Sequence, residues 1–198
     1  MASTFRIPQA RISGLYGRML TAYARRTWGQ VPDNAYVLWH NKKVMKATFK
    51  HEQRIAKFDA LDRDLSVLAQ AVTAATVGCS WCLDFGYYLA HSECMDLEKI
   101  REVMRWRDSD VFSPVEREVL AYGEAMSTTP LTVTDEMVTS LLGHLGEAAM
   151  VELTMMIAIE NERGRFNSAC GIQAQGFSDV CEIPMPNLAS LHVVRSNA

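Results

Sequence analysis

The sequence predicts an all-α protein. Three features point there. Apolar residues recur at spacings of three and four along most of the chain. Helix-start residues stand just ahead of those stretches. No strand alternates with a helix in the way a parallel sheet requires.

The first ~50 residues mix short helical stretches with Gly14, Gly17, Gly29 and Pro32, which predicts an irregular extension. Within it, Arg11, Arg18, Arg25 and Arg26 alternate with Leu15, Met19, Leu20 and Tyr23. That pattern reads as a basic amphipathic helix lying on its own protein or on a partner subunit, in preference to a membrane surface. Leu61, Leu65, Leu68, Val72 and Ala75 then give one buried helix face, and Gly78 stands where a helix ends. The next helix runs from about Ser80 to His91, with Leu83, Tyr87 and Ala90 as its inner stripe. Asp96 caps a short helix reaching about Met104. Ser113-Pro114-Val115-Glu116 has the form of a capping box with proline at the first helical position, and its helix continues to about Ser127. Pro130 marks a loop, and Thr134 caps a helix opening on Asp135 and Glu136. Gly143 and Gly146 predict a turn before a long helix from Glu147 to about Asn167, with Val151, Met155, Ala158 and Ile159 assigned to its buried stripe. The expected organisation is an N-terminal helical and irregular extension (1–50), a helical domain (51–175) and an irregular C-terminal tail (176–198).

Composition narrows the function classes. Apolar residues make up 48 % and charged residues 22 %, ordinary for a globular chain, and the eleven methionines suit irregular core gaps. A formal net charge of −3 gives no basic footprint for nucleic acid. No uncharged apolar run approaches the roughly 20 residues that span a bilayer. Arg6 and Pro8 stand where a signal peptide has its apolar core, so the expectation is a cytoplasmic protein with neither a membrane nor a nucleic-acid partner.

Five cysteines in such a chain are expected to be mostly free thiols. Cys79 and Cys82 need an explanation of their own. Three residues apart at the start of a helix, they share a face close enough for a disulfide. There they also lie near unpaired backbone N–H groups and the positive end of the helix dipole, which stabilise a thiolate. One thiolate attacks a disulfide or a peroxide, and the second closes the Cys79–Cys82 bridge. Two rival readings are a zinc site, for which Cys94, Cys170 and Cys181 supply no second paired unit, and a pair of buried structural cysteines. A thioredoxin-like site needs a preceding strand and a βαβ pattern, and neither is visible.

Leu65 to Tyr87, with Phe112 to Tyr122 and the Val151–Asn167 stretch, resembles the carboxymuconolactone decarboxylase / AhpD-like alkylhydroperoxidase superfamily over roughly residues 50–175. The Gly-Cys-x-x-Cys step between two helices is its most specific part. The resemblance implies an AhpD-like helical bundle that assembles as a homo-oligomer and uses no metal or organic cofactor. It implies Cys82 as the attacking thiol and Cys79 as the resolving one, with a small-molecule peroxide or disulfide as substrate and an external dithiol as reductant. The family's redox motif also has a Glu twelve residues before the first cysteine and a His four after the second. Those places hold Val67 and Gly86 here, and Trp81 stands between the cysteines where some members carry His.

Other polar residues have two readings each. Asp84 reads as a solvated acid and His91 as a cation at a helix C-terminus. His40 and His51 are candidates to fold over the pair. Glu160, Asn161, Arg163, Arg165 and Asn167 read as a structural hydrogen-bond cluster or as the polar wall of a cavity. Gly86, costly in a helix interior, predicts a gap among Trp81, Phe85, Tyr87 and Tyr88 that admits an apolar substrate. The possible cavity lining is therefore Trp81, Phe85, Gly86 and Asn161. The expected activity is thiol–disulfide exchange with weak peroxidase (antioxidant) activity. The alternative is a non-catalytic member that binds a small molecule or serves as an oligomeric scaffold.

Overall fold

The computed structural model describes residues 3–181, so the last part of the expected tail lies outside the described residues. The helix at its centre, α4 (Arg63–Val77), shows how local sequence fixes an element. The Asp62 carboxylate accepts from the backbone N–H groups of Asp64 and Leu65, at 3.0 and 3.3 Å. Leu65, Leu68 and Val72 are buried. Gly78 ends the helix at a φ of 75°, a left-handed conformation that side chains with a Cβ resist.

Eight α-helices occur among the described residues, with no strand: α1 (Gly14–Trp28), α2 (Asp33–Leu38), α3 (Lys42–Ile55), α4, α5 (Ser80–Ser92), α6 (Leu97–Glu102), α7 (Pro114–Ala125) and α8 (Asp135–Cys170). A 3₁₀ stretch follows α6 at Val103–Asp108. The expected caps are present. Asp96 accepts from the amides of Glu98 and Lys99, Thr134 from Met137, and Ser113 and Glu116 form both bonds of a capping box. α4 packs against α5, α7 and α8. Gly123 on α7 permits one close crossing, since a Cβ there would stand 2.7 Å from Val72 Cγ1. The main core joins Leu65, Ala69, Val119, Tyr122, Leu153 and Ile157.

Three expectations need correction. The N-terminal extension is mostly helical, built from α1, α2 and α3. Its breakers sit at element ends, with Gly29 closing α1 and Pro32 heading α2, while Gly17 lies inside α1 against Trp39. Gly143 stays helical, and the break in α8 falls at Gly146 alone, where φ is 77° and ψ 169°. Ile159 is buried as expected, but Val151, Met155 and Ala158 are exposed, and the buried stripe instead runs through Met150, Leu153, Ile157, Glu160, Gly164 and Asn167. Both faces are apolar near the middle of the helix, so periodicity did not separate them. By length and composition alone, α8 is also long and apolar enough to cross a membrane. It nevertheless carries Glu147, Glu152, Glu160 and Glu162, and one face is built into the bundle.

Candidate active site

The site begins where α4 hands over to α5. The turn at Gly78 brings Cys79 to the N-cap of α5, where its sulfur accepts the Cys82 N–H at 3.2 Å. The two cysteines form a disulfide with Cα atoms 5.3 Å apart. α8 crosses behind them at Gly164, where a Cβ would stand 2.6 Å from Val77 Cγ2 and 3.4 Å from Cys79 Cβ. That close approach delivers Asn167. Its Nδ2 lies 3.6 Å from Cys82 Sγ and 3.8 Å from Cys79 Sγ, and its side chain is buried.

Asp84, expected as a solvated acid, is buried and accepts five hydrogen bonds. They come from the backbone amides of Gln175, Gly176, Phe177 and Ser178 and from Ser178 Oγ, at 2.7–3.1 Å. A carboxylate two residues beyond Cys82 thus folds the loop after α8 onto α5. Gln175 continues the seam. Its Oε1 accepts from Trp81 Nε1 at 2.8 Å and from the Asp33 amide at 2.7 Å, and its Nε2 donates to Val31 O.

A cavity of about 630 Å³ lies between α5 and the N-terminal helices. Cys82 borders it, whereas Cys79 does not. Trp81, Phe85 and Gly86 border it as well. Trp81 and Phe85 stack with centroids 4.9 Å apart, and Trp28 meets Phe85 edge-on at 5.6 Å. A Cβ added at Gly86 would find nothing within 4 Å, so no neighbouring helix accounts for this glycine and the space belongs to the cavity. Val67 also faces it. Asn161, expected on this wall, turns away and donates to Ser127 Oγ at 3.0 Å. Tyr87 reaches the cavity edge, while Tyr88 packs outside it against Phe85 and Phe177.

The cavity has one charged corner. Arg163 donates through Nε and Nη2 to the two oxygens of Glu52, at 3.0 and 2.5 Å. Its Nη1 donates to Gln70 Oε1 and to Glu160 Oε2, each at 3.0 Å. Burial pushes the Glu160 carboxyl up to about 7, against the pull of Arg163 and with added repulsion from Glu52. The polar cluster is therefore both an ion-pair network and cavity wall. Arg165 stands outside on the exposed side. His40 and His51 do not border the cavity, and His40 Nε2 instead meets Pro8 O at 2.7 Å. His91 lies in the last turn of α5 as expected. No cluster suited to a metal ion occurs among the described residues.

Residues 42–125 match the carboxymuconolactone decarboxylase family model. The uncharacterized protein YnjA of Escherichia coli strain K12 is 34 % identical over 169 residues, 85 % of each chain. The chain belongs to the carboxymuconolactone decarboxylase family. Solved structures agree on the AhpD-like fold. Debrominase Bmp8, a Cys-to-Ala variant in complex with 2,3,4-tribromopyrrole, superposes with a TM-score of 0.76 at 20 % identity, covering 88 % of this chain and 95 % of that one. The alkylhydroperoxidase AhpD core protein of Ralstonia eutropha JMP134, called peroxidase-related, gives 0.68 at 16 %, covering 89 % and 97 %.

Against the redox motif of the family, Val67 and Gly86 take the places of its Glu and His, and both border this cavity. The two departures exchange polar groups for apolar room. Glu52 and Gln70 escaped the sequence reading. Glu52 lies 111 residues from the arginine that holds it, so no local pattern marks it. Gln70 stands one turn beyond Val67 on α4, and that spacing was the available signal for it.

Proposed function

We propose that this protein is a thiol–disulfide oxidoreductase in which Cys82 attacks the oxidant and Cys79 resolves. The observation that carries this reading is that Cys82 alone of the pair borders the cavity. The reduced Cys82 thiolate attacks the outer oxygen of a small hydroperoxide and releases the alcohol. The resulting sulfenic acid is resolved by Cys79 with loss of water. Alternatively, Cys82 attacks a disulfide and Cys79 displaces the mixed partner. Regeneration runs in reverse. An external dithiol attacks Cys82 Sγ from the cavity and expels the Cys79 thiolate. That leaving group is favoured because its sulfur already holds the Cys82 amide at the helix N-terminus. Asn167 donates toward whichever sulfur carries the charge. No metal or organic cofactor enters this cycle.

A second oxidant class follows from the room at Val67 and Gly86. The Bmp8 structure holds a bromopyrrole, and a carbon-bound bromine accepts the same two electrons, leaving C–H and bromide as the disulfide closes. The test is dithiol-coupled turnover with cumene hydroperoxide, a small disulfide and 2,3,4-tribromopyrrole in parallel, following thiol loss and bromide release. Cys82→Ser is expected to abolish turnover of every accepted oxidant. Cys79→Ser is expected to react once and stall. Full activity of Cys82→Ser, or wild-type thiols inert to all three oxidants, sinks the reading and leaves a non-catalytic binding protein.

A further inference from the structure

Asn167 and Glu160 lie on one face of α8, seven residues apart, so about two helical turns separate the sulfurs' partner from the charged corner. The cation in that corner is already committed. Arg163 holds both oxygens of Glu52 in a bidentate pair and spends its remaining amino group on Gln70 Oε1 and Glu160 Oε2. Glu160 is 5 % exposed, yet its Oε1 receives no hydrogen bond from any described residue. Glu160 lines the cavity, so this acceptor without a protein donor belongs to the wall that a bound molecule meets.

The rest of the cavity indicates what the partner carries. Its charged lining is Glu52, Arg63, Glu160 and Arg163, and both arginines are paired, Arg63 with Glu93 at 2.9 Å. No free cation is left among the described lining residues to receive an anion. Trp81, Phe85 and Trp28 supply ring faces and edges, and Gly86 leaves a slot open beside them. A cavity of this size suits a small organic molecule, with polar groups setting its orientation.

Resting on the oxidoreductase reading, we propose that Glu160 is a recognition residue, and that the substrate class is an uncharged planar aromatic compound whose O–H or N–H group donates to Glu160 while its ring lies over Gly86 toward Cys82. The donor satisfies Oε1, and the ring is held at the sulfur end.

The test is calorimetric binding to the disulfide form, which has no reactive thiol in the pair, so binding is read apart from turnover. The probes are 2-naphthol, 2-methoxynaphthalene, which lacks the donor, and 2-naphthoate, which is an anion. 2-Naphthol is expected to bind about tenfold more tightly than the methyl ether, the size of one hydrogen bond to a charged group, and naphthoate more weakly still. Glu160→Leu is expected to erase the preference for naphthol over the ether. Glu160→Gln keeps the shape and an acceptor, so it retains the preference. In the wild type, naphthol affinity should rise from pH 6 to 8 as Glu160 ionises, with Arg163 on α8 and Glu52 on α3 the titratable groups facing it and Gln70 on α4 neutral. In Glu160→Gln it should stay flat. Gly86→Leu is expected to remove binding of both neutral probes. Equal affinity for naphthol and its ether, a preference surviving in Glu160→Leu, a pH slope surviving in Glu160→Gln, or tighter binding of naphthylmethylammonium than of naphthol would overturn the proposal. If binding follows the expected pattern while no oxidant turns over, the oxidoreductase reading fails alone. If oxidants turn over while the two neutral probes bind alike, this proposal fails alone.

Discussion

The two walls of the cavity are built differently. The wall carrying the sulfurs is clamped from three sides. Asp84 ties down the 175–178 loop, Gly164 lets α8 press against Val77 and Cys79, and Asn167 reaches both sulfurs. The facing wall, α1 to α3, is held by a few specific ties. Among these are the Arg163–Glu52 pair, the contacts of Gln175 with Gln30, Val31 and Asp33, and the Tyr88 hydroxyl bond to Thr27 O. That wall also leaves Leu15, Met19 and Tyr23 exposed. A redox pair needs its sulfurs fixed for bridging, while a substrate wall gains from being adjustable. The clamped wall thus holds Gly86 and Glu160 as well as the cysteine pair, and α1 to α3 close the cavity over them with fewer fixed contacts.

The largest break in the comparison is Asp84→Ala. It leaves four backbone amides of the clamped loop without their acceptor, and a loss on the order of 4 kcal/mol is expected in urea denaturation. Asp84→Asn should lose roughly half of that, since an amide oxygen still accepts. A loss under about 1 kcal/mol for the alanine variant would mean that the loop is held by other contacts and that the walls are alike.

The next effect comes from the charged corner joining the walls. Burial raises the Glu160 carboxyl to about 7 from an ordinary value of 4.5, so the folded protein holds that proton more tightly than the unfolded chain. The contribution to stability is therefore fully present below pH 4.5, falls as pH rises toward 7, and levels off above it. The span is on the order of 3 kcal/mol. Other carboxylates slope the opposite way, Glu116 with Lys99 among them, so the informative quantity is the difference between wild type and Glu160→Gln in denaturant midpoints from pH 4 to 8. The variant is expected to lack the downward component. Identical pH curves would show that Glu160 ionises normally in the fold.

What sequence reasoning reached, and what it missed, divides along the range of the interactions. Asp62, Asp96, Ser113 and Thr134 cap helices through bonds to their own next residues, so their roles were legible. The pair at the start of α5 was legible for the same reason. Asp84 was misread because its donors are more than ninety residues away. The buried face of α8 was misassigned although a signal existed. Leu153, Ile157, Glu160, Gly164 and Asn167 step by four, three, four and three, and the glycine and polar residues on that face are what a helix carries against a site rather than against plain core.

Asn167 gives the finest cut between the walls. In the reduced protein its Nδ2 is the side-chain donor placed to stabilise a thiolate on either cysteine, adding to the N-terminus of α5. Asn167→Leu removes that donor at similar volume. It should shift the pH profile of thiol alkylation upward by about one unit, a tenfold slower reaction at neutral pH, equivalent to about 1.4 kcal/mol. Asn167→Asp, which sets a negative charge beside the sulfurs, should shift it further in the same direction. His40→Ala, on the facing side and away from the cavity, should leave the profile where it is. If Asn167→Leu and His40→Ala titrate alike, thiolate stability comes from the helix N-terminus alone. The clamp of α8 on the redox wall would then be packing without chemistry.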